Sequence, residues 1–97
     1  MVAYNISKLG MHGLTRSFAE RGASHGITVN TLVPGLILTE NVFKRISREE
    51  YEAETRNIPL HRGGTCEEIA EGIVWAVENG FMTGESININ GGQHYAP

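Results

Sequence analysis

Tyr4 and Lys8 stand four residues apart in the stretch AYNISKLG, with Ser7 between them. On a helix, residues i and i+4 share one face, with about 5–6 Å between their Cβ atoms. A free phenol has a pKa of about 10 and is a poor acid-base catalyst at neutral pH. A fixed cation one turn away favours the phenolate, and the partial positive charge of a helix N-terminus acts in the same sense. The pair therefore suits a tyrosine that gives a proton to a carbonyl oxygen or takes one from an alcohol. Lys8 would tune the phenol and hold a polar ligand with its remaining donors. A surface tyrosine stacked beside a surface lysine has the same spacing, so spacing alone leaves both readings open.

The pair needs a helix, and the sequence supplies one over residues 3 to about 24. Proline is absent there, and small or apolar residues recur at helical spacing: Ile6, Gly10, Gly13, Leu14 and Ser17 on one side, Met11, Phe18 and Ala19 on another. Only a wedge near His12, Arg16 and Glu20 is strongly polar, which predicts a helix covered from two directions. Gly10 and Gly13 each cost about 1 kcal/mol against alanine, so something is expected to pass close to them.

Downstream, ITVNTLVPG is rich in β-branched residues and apolar on both faces. It reads as a buried parallel strand over residues 27–33, stopped by Pro34-Gly35. Residues 36–57 hold one or two short helices, with the charged stretch from Lys44 to Arg56 facing water or forming a lid. TCEE at 65–68 matches a capping box, so a helix should follow to about Asn79. Its expected packing stripe is Ile69, Ile73, Ala76 and Val77, with Trp75 off that stripe as a second packing surface or a partly exposed ring. ESINI alternates like a short strand before Gly91-Gly92. Strands separated by a helical crossover suggest a parallel pair. Two parallel strands want further neighbours, and the strand at 27–33 is left with an unpaired edge that invites association.

Composition narrows the function. The 97 residues suit one small domain, residues 1–97. The formal net charge is −3, from 11 acidic residues, all of them Glu, against 8 Lys plus Arg. That balance argues against a nucleic-acid surface and against a polybasic membrane contact. No apolar run approaches the roughly 20 residues of a membrane span. Cys66 is the only cysteine, which suits packing or a helix start in a reducing cytoplasm. His12, His25, His61 and His94 are dispersed without ligand-like spacing, so no metal site is expected, although His61 and His94 could approach a substrate.

The motifs in order resemble the C-terminal portion of the short-chain dehydrogenase/reductase family. YNISK is similar to the family's Tyr-x-x-x-Lys, and SKLGMHGLTRSFAE to the helix that carries it. GITVNTLVPGLILT resembles the sixth strand and the Pro-Gly-x-Ile-x-Thr turn after it. IPLHRGGTCEEIA and TGESININGG resemble the approach to the last helix and the closing strand. The resemblance implies an α/β fold, the C-terminal part of a Rossmann-like doubly wound parallel sheet, running helix, strand, lid helices, helix, strand. It implies hydride transfer between NAD or NADP and an alcohol or ketone, with a 3-oxoacyl compound as one candidate substrate. Tyr4 and Lys8 would be catalytic, and both would also contact the cofactor. Pro34, Gly35, Ile37 and Thr39 would border the nicotinamide, Ile37 through its backbone and Thr39 through its hydroxyl. Residues 40–57 would be the substrate lid, and the first and last helices would build a homo-oligomer, dimer or tetramer.

The family's Gly-rich pyrophosphate turn has no counterpart in these residues, nor does its catalytic Ser or the Asn before it. The expectation is thus a chain lacking the N-terminal cofactor-binding half and inactive alone. The alternative is a non-catalytic fragment that retains the family's oligomerisation surface.

Overall fold

The structure, a computed structural model, describes residues 1–93; His94 lies outside the described residues. It comprises α1 (Val2–Ala23), β1 (Thr31–Pro34), β2 (Ile37–Leu38), α2 (Val42–Arg45), α3 (Arg48–Thr55), β3 (Gly64–Thr65), α4 (Cys66–Glu78) and β4 (Ser86–Ile89). The strands form two parallel pairs, β1 with β4 and β2 with β3. Thr31 is registered with Ser86 and Pro34 with Ile89, while Ile37 is registered with Gly64.

Helix signals are local, and they locate the helices well. Thr65 and Glu68 make the expected reciprocal capping box at the start of α4. Ser47 and Glu50 make a second one at the start of α3. α2 and α3 are the two short helices anticipated in the lid segment.

Three expectations about the strands and α4 need correction. The first strand begins at Thr31 rather than Ile27, because the β1–β4 ladder opens where Thr31 N–H donates to Glu85 O at 2.8 Å. Ahead of it the ladder gives way to one backbone bond, Gly84 N–H to Val29 O at 2.7 Å, and to side-chain bonds: Val29 N–H donates to Thr83 Oγ1, the Asn30 amide donates to Met82 O, and Glu85 N–H donates to Asn30 Oδ1. Second, the β2–β3 pair is an addition, two residues per strand and too short to read from a pattern. Third, α4 turns Ile69, Gly72 and Ala76 inward and leaves Ile73 and Val77 exposed. Gly72 is the cause: a Cβ there would collide with the Ile89 δ-methyl, so the glycine lets β4 approach the helix.

Coverage of α1 also differs from expectation. Thr15 and Ala19 are buried, but Ile6, Leu9, Met11, Leu14 and Phe18 are each more than half exposed. Among the described residues, nothing beyond the helix itself lies within 4 Å of a Cβ added at Gly10 or Gly13. The buried apolar core consists of Ala19, Val42 and Ile58. The accessible surface is 7439 Å², against about 5,500 Å² for a compact monomer of this mass. The radius of gyration is 15.5 Å, against about 12.5 Å for a compact domain of this length. Much apolar surface is therefore left uncovered by this chain's own residues.

Candidate active site

α1 runs against the strand direction. Gly22 packs on Ile27, Ala19 faces Gly84, Thr15 Oγ1 bonds Thr31 Oγ1, and His12 Nδ1 bonds Ser86 Oγ. Moving back along the helix thus moves forward along β1 and β4. From His12 to Tyr4 the helix rises about 12 Å, and from Ser86 to Ile89 the strand advances about 10 Å. Tyr4 and Lys8 accordingly lie toward the carboxyl ends of β1 and β4, where ligands bind in open α/β sheets.

Lys8 Nζ sits 5.4 Å from the centre of the Tyr4 ring, within cation–π range. The helix makes this contact by stacking the two side chains one turn apart. Ser7 between them gives its hydroxyl to the Tyr4 carbonyl at 2.7 Å, so it is engaged by the helix itself. The Tyr4 hydroxyl has no hydrogen-bond partner among the described residues, and the side chain is exposed. Met1 caps α1 without a side-chain bond, and its first turn carries no acidic residue to offset the helix dipole near Tyr4.

The second group of candidates occupies the turn after β1. Gly35 N–H donates to Ile89 O at 2.9 Å, closing the β1–β4 ladder. A Cβ on Gly35 would lie 2.8 Å from Asn90 Cα, so only glycine permits this approach. Gly64 N–H donates to Leu36 O at 2.8 Å, and that register turns the N–H and C=O of Ile37 away from β3. The Ile37 carbonyl receives Thr39 N–H at 3.0 Å, and the Thr39 carbonyl in turn receives Val42 N–H. Thr39 is exposed, and its hydroxyl has no partner among the described residues. The structure thus brings Tyr4 and Lys8 together, and Pro34, Gly35, Ile37 and Thr39 together. No hydrogen bond joins the two groups among the described residues. His61 sits in a turn with φ 56° and has no side-chain hydrogen bond to either group among the described residues.

Arg62 braces the strand beside Ile37. Its guanidinium grips the Glu68 carboxylate through two bonds of 2.8 Å, and Glu68 also accepts Thr65 N–H at 2.9 Å. The Arg62 bonds, reinforced by Thr65 N–H, hold the Glu68 carboxyl down at about 2, from an ordinary 4.5. The same contact pushes the Arg62 guanidinium up. One concavity of about 100 Å³ adjoins this region beside Leu36 and Asn90, and a second of about 230 Å³ lies elsewhere, between α4 and the β1–β4 pair. Each is smaller than the roughly 300–1,000 Å³ of an ordinary ligand pocket.

The sequence reading missed Tyr51, Gly63 and Gly72. A lone aromatic within the charged run REEYEAE, a glycine doublet before the capping box and a glycine between Ile69 and Ile73 of a helix were the available signals. The Ser47-x-x-Glu50 box was legible by the same rule as Thr65-x-x-Glu68.

Parallel strand pairs joined through helices define an α/β chain. A family model described as enoyl-(acyl carrier protein) reductase matches residues 1–94. An acetoacetyl-CoA reductase of Cupriavidus necator is 41% identical over 93 residues, which are 94% of this chain and 37% of that protein. A 3-oxoacyl-[acyl-carrier-protein] reductase of Buchnera aphidicola is 37% identical over 95 residues, 96% of this chain and 38% of that protein. The crystal structure of a 3-hydroxyacyl-CoA dehydrogenase type-2 from Mycobacterium avium superposes with a TM-score of 0.88 at 34% identity, over all of this chain and 38% of that one. The chain belongs to the short-chain dehydrogenase/reductase family, and it spans less than half the length of these relatives. No described helix is long and apolar enough to cross a membrane.

Proposed function

We propose that these residues form the catalytic-helix portion of an NAD(P)-dependent oxidoreductase that interconverts a secondary alcohol and a ketone. The observation that carries this reading is the Lys8 ammonium 5.4 Å from the Tyr4 ring, on the exposed N-terminal part of α1. When bound, the dinucleotide supplies or accepts the hydride. Tyr4 gives its phenolic proton to the carbonyl oxygen during reduction and takes one from the alcohol during oxidation. Lys8 stabilises the phenol oxygen's negative charge as the proton leaves. The free N–H of Ile37 and the unpartnered Thr39 hydroxyl fit the carboxamide of a nicotinamide, and Pro34-Gly35 sets the turn that presents them. These residues suit the nicotinamide end of the cofactor. A Gly-rich turn for the pyrophosphate is not among the 97 residues, and turnover needs one from another segment.

The three relatives named above act, by their names, on acyl thioesters or their hydroxy counterparts. A 3-oxoacyl thioester is therefore the substrate class favoured here. A chimera tests this: the chain replaces the matching portion of the Cupriavidus acetoacetyl-CoA reductase, and NADPH oxidation is followed with acetoacetyl-CoA. Turnover that Tyr4→Phe removes is the expected result. A chimera that folds and binds NADPH yet reduces nothing overturns the assignment.

A second reading has its own observation. The exposed stripe Met11, Leu14 and Phe18 on α1 and the open edge of β1 are surfaces for association. In that reading the 97-residue chain is inactive alone and persists as a homo-oligomer. Saturable tight binding of NADH or NADPH to the isolated chain would count against inactivity.

A further inference from the structure

Tyr51 lies in the middle of α3, yet its side chain reaches out of the lid to the segment before β3. Its hydroxyl accepts the backbone N–H of Gly63 at 3.1 Å. Gly63 is buried, and a Cβ there would lie 3.1 Å from Leu38 Cγ and 3.4 Å from Tyr51 Cε2. The glycine therefore leaves room for the tyrosine ring against β2. On the other side, the Tyr51 ring meets Phe43 of α2 edge-to-face, with centroids 5.4 Å apart. The Arg48 guanidinium covers the outer face of Phe43 at 4.7 Å. One tyrosine thus joins both lid helices to Gly63, the residue before β3. β3 is paired with β2, and β2 leads directly to Thr39.

We infer that Tyr51 is a positioning residue whose hydroxyl latches the lid helices α2 and α3 to the β2–β3 pair, so that the lid and the Ile37–Thr39 turn keep a fixed relation. The lid's role as a cover for substrate rests on the oxidoreductase reading; the latch itself does not. An alternative anchor would be apolar burial alone, since Val42 and Thr55 are buried. The two differ in what the hydroxyl contributes. A buried N–H left without an acceptor is costly, so loss of the phenolic oxygen frees Gly63 to open toward water.

Backbone hydrogen exchange on the full chain, without dinucleotide, separates these. Tyr51→Phe keeps the ring and deletes the oxygen. Exchange at Gly63 and across residues 42–57 is expected to rise at least tenfold, with α4 and β4 unchanged. Phe43→Leu alters the ring contact and keeps the oxygen, and Gly63 should remain protected. Unchanged exchange in Tyr51→Phe overturns the latch, as does an equal rise over the whole chain, the mark of a merely structural residue. Unprotected lid amides in the unsubstituted chain overturn it too. Separate titration with NADPH reports on the oxidoreductase reading, so either result can fail without the other.

Discussion

Arg62 and Glu68 face each other with two parallel hydrogen bonds of 2.8 Å, on the surface and six residues apart in sequence. Glu68 is also the third residue of α4's capping box, so one carboxylate serves both the helix start and the strand before it. Its folded pKa of about 2 lies below the ordinary 4.5. A depressed carboxyl stabilises the fold fully above the ordinary value and loses that contribution as pH falls through the folded one. Thermal melts should therefore show stability falling between pH 4.5 and 2. Glu68→Gln keeps an acceptor for Thr65 N–H but has no charge, and its profile should be flatter across that window. Both side chains are partly exposed, so added salt should shrink the difference.

The Gly35–Asn90 contact makes a sharper prediction about packing. An alanine methyl at position 35 would fall 2.8 Å from Asn90 Cα, a backbone atom that cannot swing aside. Gly35→Ala should cost about 1–3 kcal/mol, the usual scale of overpacking. Gly72→Ala meets only the δ-methyl of Ile89, which can rotate away. It also gains about 1 kcal/mol of helix propensity, so its net effect should be smaller. Urea denaturation of both variants checks the order; equal losses would show that β4 does not yield at Ile89.

These contrasts explain what the sequence could and could not disclose. α1, α3 and α4 were legible because caps and helical periodicity act within a few residues. The inward face of α4 was misjudged because hydrophobicity favours Ile73 and Val77, whereas the close approach of Ile89 selects Gly72. Residues 27–30 have strand-like side chains, but pairing depends on where Glu85 lies, and no local pattern carries that. The Tyr4–Lys8 contact was readable from spacing alone. The N–H of Ile37 was not, since its direction follows from a two-residue pairing with Gly64 across 27 positions of sequence.

Gly10 and Gly13 separate the two roles of α1. Among the described residues, nothing beyond the helix itself lies within 4 Å of a Cβ added at either position, so alanine at both should strengthen the helix by about 1 kcal/mol each. If a second copy covers this face, the added methyls hold the backbones apart and association weakens. Circular-dichroism melts at low concentration should therefore show a more stable double variant, and analytical ultracentrifugation a more dissociated one. A rise in stability with unchanged association would place the oligomer contact elsewhere.

The last prediction concerns how Tyr4 and Lys8 share their work in the chimeric reductase. Removing the phenolic oxygen with Tyr4→Phe deletes the proposed proton donor, and general acid catalysis is worth about 10²–10⁴ in rate. Lys8→Met leaves the oxygen and removes the charge held 5.4 Å from the ring. It should lower kcat/KM by about 10², while Lys8→Arg, which keeps the charge on a bulkier group, should lose less. On the proposed mechanism the lysine acts through the tyrosine, so the two losses should not add. Lys8→Met introduced into Tyr4→Phe should change the residual rate by less than about threefold, measured as kcat/KM for acetoacetyl-CoA at saturating NADPH. Full additivity would mean that Lys8 serves the ligand independently of the phenol, and the pair would then be two neighbours rather than one acid-base unit.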